Sequence, residues 1–123
     1  MADMVFEAGG QRLLLFDAAG STLRTAGDVS DFISAAWANE AGVVVLPVAR
    51  IDPSFFSLRS GLAGDAIQKF VNYRIRLVVL GDIAGPVAAS DALRDFVYES
   101  NRGRHVWFLD DLDAVKGKLA AEG

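Results

Sequence analysis

Apolar residues along this chain fall into two patterns: short unbroken runs of strand length, and stripes that recur at helical spacing. The runs are Val43 to Val48, Leu77 to Leu80 and, opening on a polar residue, His105 to Leu109. Pro47 lacks a ladder donor and belongs at the end of its strand. Two shorter β-favouring runs, Met4 to Glu7 and Leu13 to Phe16, flank Gly9-Gly10, whose glycines supply the positive φ angles of a tight hairpin. Asp17 to Ala26 has no period and reads as a loop. Val29, Phe32, Ile33, Ala36 and Trp37 then form a helical stripe, with Asp28 as N-cap, Asp31 in the first turn and Gly42 as the stop. Asp52-Pro53 predicts a cap and a short helical turn over Pro53 to Leu58. A longer helix from Ser60 to Tyr73 buries Leu62, Ala66, Ile67, Phe70 and Val71. After Gly81-Asp82 and a loop through Gly85-Pro86, Ser90 caps a helix that buries Leu93, Phe96 and Val97 and closes at Gly103 in a left-handed conformation. Asp110 or Asp111 caps a last helix carrying Leu112, Val115 and Leu119.

The order is β-β-α-β-α-β-α-β-α, which predicts one α/β domain over residues 1–123 with a mixed, mostly parallel five-stranded sheet. Strands laid down in chain order put every right-handed crossover on the same face. The central strands are nevertheless apolar on both faces, and both need cover. A strand order that doubles back would provide it, as would a second chain in a homodimer. The aromatics Phe32, Trp37, Phe70, Phe96 and Trp107 are expected in the core.

Composition narrows the function classes. With 123 residues, 52% hydrophobic, the chain can bury a core, and with no cysteine it has neither disulfides, thiolate metal sites nor a thiol nucleophile. A net charge of −4 opposes a nucleic-acid backbone. No apolar run reaches membrane-spanning length, and Met1-Ala2-Asp3-Met4 does not open a secretory leader, so a cytoplasmic location is expected.

Two resemblances follow from particular residues. Phe55-Phe56-Ser57-Leu58-Arg59-Ser60-Gly61-Leu62-Ala63-Gly64-Asp65-Ala66-Ile67-Gln68-Lys69-Phe70-Val71-Asn72-Tyr73, then Gly81-Asp82, then Arg94 to Gly103, resembles the domain-of-unknown-function 4180 family of small bacterial proteins, which implies no activity. The element order is similar to that of the sulfate-transporter and anti-sigma-factor-antagonist (STAS) domain. That resemblance implies a module that exchanges protein partners when a hydroxyl at the start of its second helix is phosphorylated. Ser60-Gly61-Leu62 stands at that place, with Leu58-Arg59 where the STAS pattern has an acid and a further hydroxyl.

The candidate residues form three groups. Ser60, with Arg59 and Gly61, stands at a helix N-terminus, where amide donors and the positive dipole end favour an anion; a plain cap is the bland alternative. Asp82, Asp110 and Asp111 follow strands, where open α/β sheets bind ligands, and they also suit turns and helix caps. Gln68, Lys69, Asn72 and Tyr73 near one helix end and Glu99, Asn101 and Arg102 near another would share the opposite sheet edge. There they could orient a small polar ligand or simply satisfy the helix ends. His105, the single histidine, has no triad partners, and Gly61 and Gly64 do not make a dinucleotide fingerprint. The expectation is a non-enzymatic regulatory or protein-interaction module, STAS-like, without metal or cofactor and controlled at Ser60. Its alternative is a small-molecule-binding protein or enzyme using Asp82 or Glu99.

Overall fold

The computed structural model describes residues 3–122, so the leader reading at Met1 and Ala2 lies outside them. Strands β1 (Met4–Ala8) and β2 (Gln11–Leu15) form the antiparallel hairpin, turned by Gly9 and Gly10 at φ 57° and 77°. Strands β3 (Val43–Pro47), β4 (Arg76–Leu80) and β5 (Val106–Leu109) follow in parallel, and the strands stand in chain order, β1-β2-β3-β4-β5. Around this sheet lie α1 (Val29–Ala38), α2 (Leu62–Asn72), α3 (Ala84–Ala89), α4 (Asp91–Arg102) and α5 (Leu112–Glu122).

Period-two alternation divides the core. Leu14, Val44, Leu46, Leu77, Val79, Val106 and Phe108 face α1, α2 and α4, while Leu13, Val43, Val45, Val78 and Trp107 face the other way, against Val115 and Leu119 of α5. Cover for the second face thus comes from the terminal helix. Its approach demands Gly9, where a Cβ would lie 2.7 Å from the backbone of Leu119. Basic side chains extend the cover: Lys116 lies over Phe6, and Arg76 and Lys118 lie over buried Trp107 at 4.4 and 4.9 Å.

Several expectations need correction. The loop through Gly85-Pro86 contains α3, with Pro86 in the first turn, where its missing N–H costs no helical bond. The long helix begins at Leu62, two residues after Ser60, because Gly61 is left-handed at φ 78°. Trp37 is 55% exposed, because at the end of α1 it leaves the core and packs edge-to-face on exposed Tyr73 beyond α2 at 5.2 Å. Gly103 is extended rather than left-handed. Gly42 does not stop α1, since the left-handed residues closing α1 and α2 are Glu40 (φ 54°) and Arg74 (φ 58°). Both ends are Schellman closures. Ala41 N–H donates to the Ala36 carbonyl and Glu40 N–H to Trp37, and Ile75 and Arg74 repeat the pattern on Phe70 and Val71. Burial of Ala41 and Ile75 just beyond each helix holds the turn and offsets the strain of a side chain at positive φ.

Arg50 is the one buried charged residue among the described residues, 6% exposed. Its Nε donates to the Ser21 carbonyl at 2.6 Å and Nη1 to that of Asp17 at 2.8 Å, and the guanidinium lies over the Phe16 and Phe32 rings. Gly20, at φ 145°, lets the loop close over it, since a Cβ there would sit 2.7 Å from Cζ.

Candidate functional site

At the carboxyl edge of the sheet, β3 leads through a 3-10 turn at Val48–Arg50 into two more, Pro53–Phe56 and Leu58–Ser60, before α2 begins. Asp52 caps the first turn by accepting from Ser54 N–H at 3.0 Å. Ser60 ties the turns together: its hydroxyl donates to the Ser54 carbonyl at 2.6 Å and accepts from Leu62 N–H at 3.2 Å. Arg59 and Ser60 are exposed, and Gly61 supplies the left-handed step into α2. Between these turns and the α3–α4 junction lies a cleft of about 470 Å³. Phe56, Leu58, Pro86, Ala89 and Ala92 give it apolar walls, and Arg59 is the only charged residue lining it among the described residues. No carboxylate or histidine of the described residues lines it.

Two of the three nominated aspartates of this edge serve the backbone. Asp82 accepts from Ala84 N–H at 2.8 Å at the start of α3, and Asp111 from Ala114 N–H at 2.8 Å at the start of α5. Asp110 is exposed beside it. Among the described residues no three histidine, aspartate or glutamate side chains gather closely enough to hold a metal ion. Two carboxyl groups here are held below the ordinary aspartate range. At Asp28 the causes are the backbone N–H groups of Arg24 and Thr25; at Asp52 they are the hydroxyl and then the N–H of Ser54.

At the amino edge the nominated polar residues are dispersed. Gln68 donates to Asn72 at 2.9 Å on the exposed side of α2, Lys69 stands in that helix's last turn, and Tyr73 is taken up by Trp37. Glu99 pairs with Arg102 at 3.6 Å, and Arg102 also lies over Tyr98. Asn101 donates to the Phe108 carbonyl at 3.1 Å and accepts from Phe108 N–H at 2.7 Å, so it pins α4 to β5. Of this group Glu99 lines a groove of about 320 Å³ with Ile67, Val71, Phe96 and Val106 on its walls. A second hollow of about 250 Å³ adjoins it, lined by Arg74, Arg76, Arg104 and His105. These basic residues were not nominated by sequence. Their signal is a basic residue at the start of each of two neighbouring parallel strands, Arg76 before β4's apolar run and Arg104-His105 before that of β5.

No helix among the described residues is long and apolar enough to cross a membrane. A family model described as a domain of unknown function (DUF4180) matches residues 8–119. No curated protein and no solved structure matches the chain.

Proposed function

Because the chain belongs to the DUF4180 family, whose description assigns no activity, we propose from its carboxyl edge that it is a non-enzymatic regulatory module, STAS-like, that receives a protein partner in the cleft beside Ser60. The observation that carries this reading is the make-up of that cleft: apolar walls and a single guanidinium, with no acid or base to move a proton. Arg and exposed apolar groups suit a protein interface, and the parallel, chain-ordered strands β2 to β5 are compatible with the STAS arrangement. A cytoplasmic setting fits a chain without cysteine.

Ser60 would control this cleft through its hydrogen bonds. Phosphorylation removes the proton that Ser60 donates to the Ser54 carbonyl and places a dianion against that oxygen, so the bond tying the two turns is lost. The turns carry Pro53, Phe56, Leu58 and Arg59 into the cleft, so its shape changes with them. Intact-mass and peptide mass spectrometry of protein purified from its native cells should find phosphate on Ser60. Cross-linking in those cells should give different partners for Ser60→Asp and Ser60→Ala. An unmodified Ser60 together with identical partners for both variants would overturn the reading.

A second reading, small-molecule binding or catalysis at Asp82 or Glu99, draws on one observation, the position of Glu99 on the wall of an apolar groove. Loss of binding in Glu99→Gln would support it.

A further inference from the structure

We propose that the amino edge of the sheet binds an amphipathic carboxylate, with its charged head among Arg74, Arg104 and His105 and its apolar body in the groove between α2 and α4. The site is remote in function from the partner cleft at the carboxyl edge, and it stands or falls independently of that cleft.

The groove and the basic hollow share Val71, Arg104 and His105 in their linings, so they are two lobes of one depression. Volumes of about 320 and 250 Å³ together fall within the range of small-ligand sites. The groove exists because α2 and α4, neighbours on the same face, make few direct contacts, which leaves Ile67, Val71 and Phe96 half-buried above Val106. One lobe is therefore apolar and the other cationic.

The cations are incompletely neutralised. Glu122 sits 2.9 Å from Arg76 and 3.7 Å from Arg104, so a single carboxylate serves both. Arg74 makes no ion pair among the described residues, and the Schellman closure of α2 sets it at the mouth of the hollow. Glu99 is the acid on the groove wall, and its carboxylate is paired with Arg102. In a chain of net charge −4, this local surplus of guanidinium groups selects an anion. A carboxylate offers two acceptors to a guanidinium fork, and an attached hydrocarbon removes the groove walls from water. A cation with the same tail meets Arg74 and Arg104 unfavourably. An inorganic anion leaves the groove wet.

The test is a titration of the full-length chain followed by backbone amide NMR, with octanoate, octylamine and inorganic phosphate as separate probes. Octanoate should give saturable shifts at Val71, Ser100 and His105, and the other two should bind about tenfold more weakly or less. Arg104→Glu should weaken octanoate about tenfold. Ser100→Leu fills the apolar lobe and should weaken octanoate while leaving the phosphate shifts unchanged. Both positions are surface-accessible, and unchanged shifts elsewhere in the spectrum report an intact fold; if one variant fails to fold, the other decides. Octylamine binding as well as octanoate, phosphate alone matching octanoate, or octanoate shifts confined to Phe56 and Ala89 would each overturn the proposal.

Discussion

At the carboxyl edge of the sheet the chain passes from strand into helix, and at the amino edge it passes from helix into strand. Helix N-termini present unpaired N–H groups and the positive dipole end, so they recruit carboxylates. Asp52, Asp82 and Asp111 all accept such groups, as Asp28 does in the turn before α1. Helix C-termini present carbonyls, and here these are closed largely by backbone turns at Glu40 and Arg74. The arginines of the amino edge are consequently less engaged: Arg76 reaches the Arg104 carbonyl and Glu122, while Arg74 makes no ion pair among the described residues. The same topology therefore ties up the capping aspartates of one edge and leaves Arg74 of the other, like Arg59 beside the cleft, exposed to a ligand. An aspartate following a strand is explained by capping before it is explained by chemistry.

Arg50 is a cation held in the interior near the carboxyl edge, and its loss should have the largest effect. Arg50→Met keeps the apolar bulk but leaves the Asp17 and Ser21 carbonyls without donors, and should cost about 3 kcal/mol in denaturant unfolding. Arg50→Lys should recover only part of this, because an ammonium cannot fork between two carbonyls. Gly20→Ala should cost about 2 kcal/mol in the native sequence through strain and collision with Cζ, and less in the Arg50→Met background. A neutral Arg50→Met would mean that the loop is held by something other than this clamp.

Next in size is a contrast within the amino edge. Asn101→Ala removes both hydrogen bonds to the Phe108 backbone and should cost about 2 kcal/mol, and Asn101→Asp should be comparably damaging because its carboxylate faces a carbonyl. Asn72→Ala breaks only an exposed contact with Gln68 and should lie within about 0.5 kcal/mol of the native chain. Equal effects at the two asparagines, measured as shifts in denaturation midpoint, would remove the distinction.

Much of the scaffold was legible because it depends on local chemistry. Unbroken apolar runs marked β3, β4 and β5, Gly9-Gly10 marked the hairpin, and Asp52-Pro53, Ser90 and Asp111 act as the caps their sequence contexts suggest. What escaped reading depends on distant partners. Leu112, Val115 and Leu119 announce a buried stripe but not the sheet face it covers. α3 is short, made of small residues and proline, and shows no period. Arg50 carries no sequence mark of burial, since its acceptors lie about thirty residues earlier. The basic hollow arises from strand register, which brings the start of β4 beside that of β5. Tertiary placement also decided Trp37, which has helical spacing but an exposed position.

The smallest effect should come from acid acting on two aspartates of the carboxyl edge. Folding lowers the pKa of Asp28 and Asp52, chiefly through backbone N–H donors at Asp28 and the Ser54 hydroxyl and N–H at Asp52. Their stabilisation is therefore complete above the pKa each has in the unfolded chain, and it disappears as pH falls through the lower folded-state value. Neither carboxylate is buried, so screening keeps the contribution small. On acidification, amide protection corrected for intrinsic exchange should fall at Arg24, Thr25 and Ser54 before it falls at Phe108, whose N–H is held by the uncharged amide of Asn101. The double variant Asp28→Asn, Asp52→Asn should flatten the acid limb of stability against pH. An unchanged acid limb would show that these caps are not coupled to folding, and the contrast between the edges would then rest on the arginines alone.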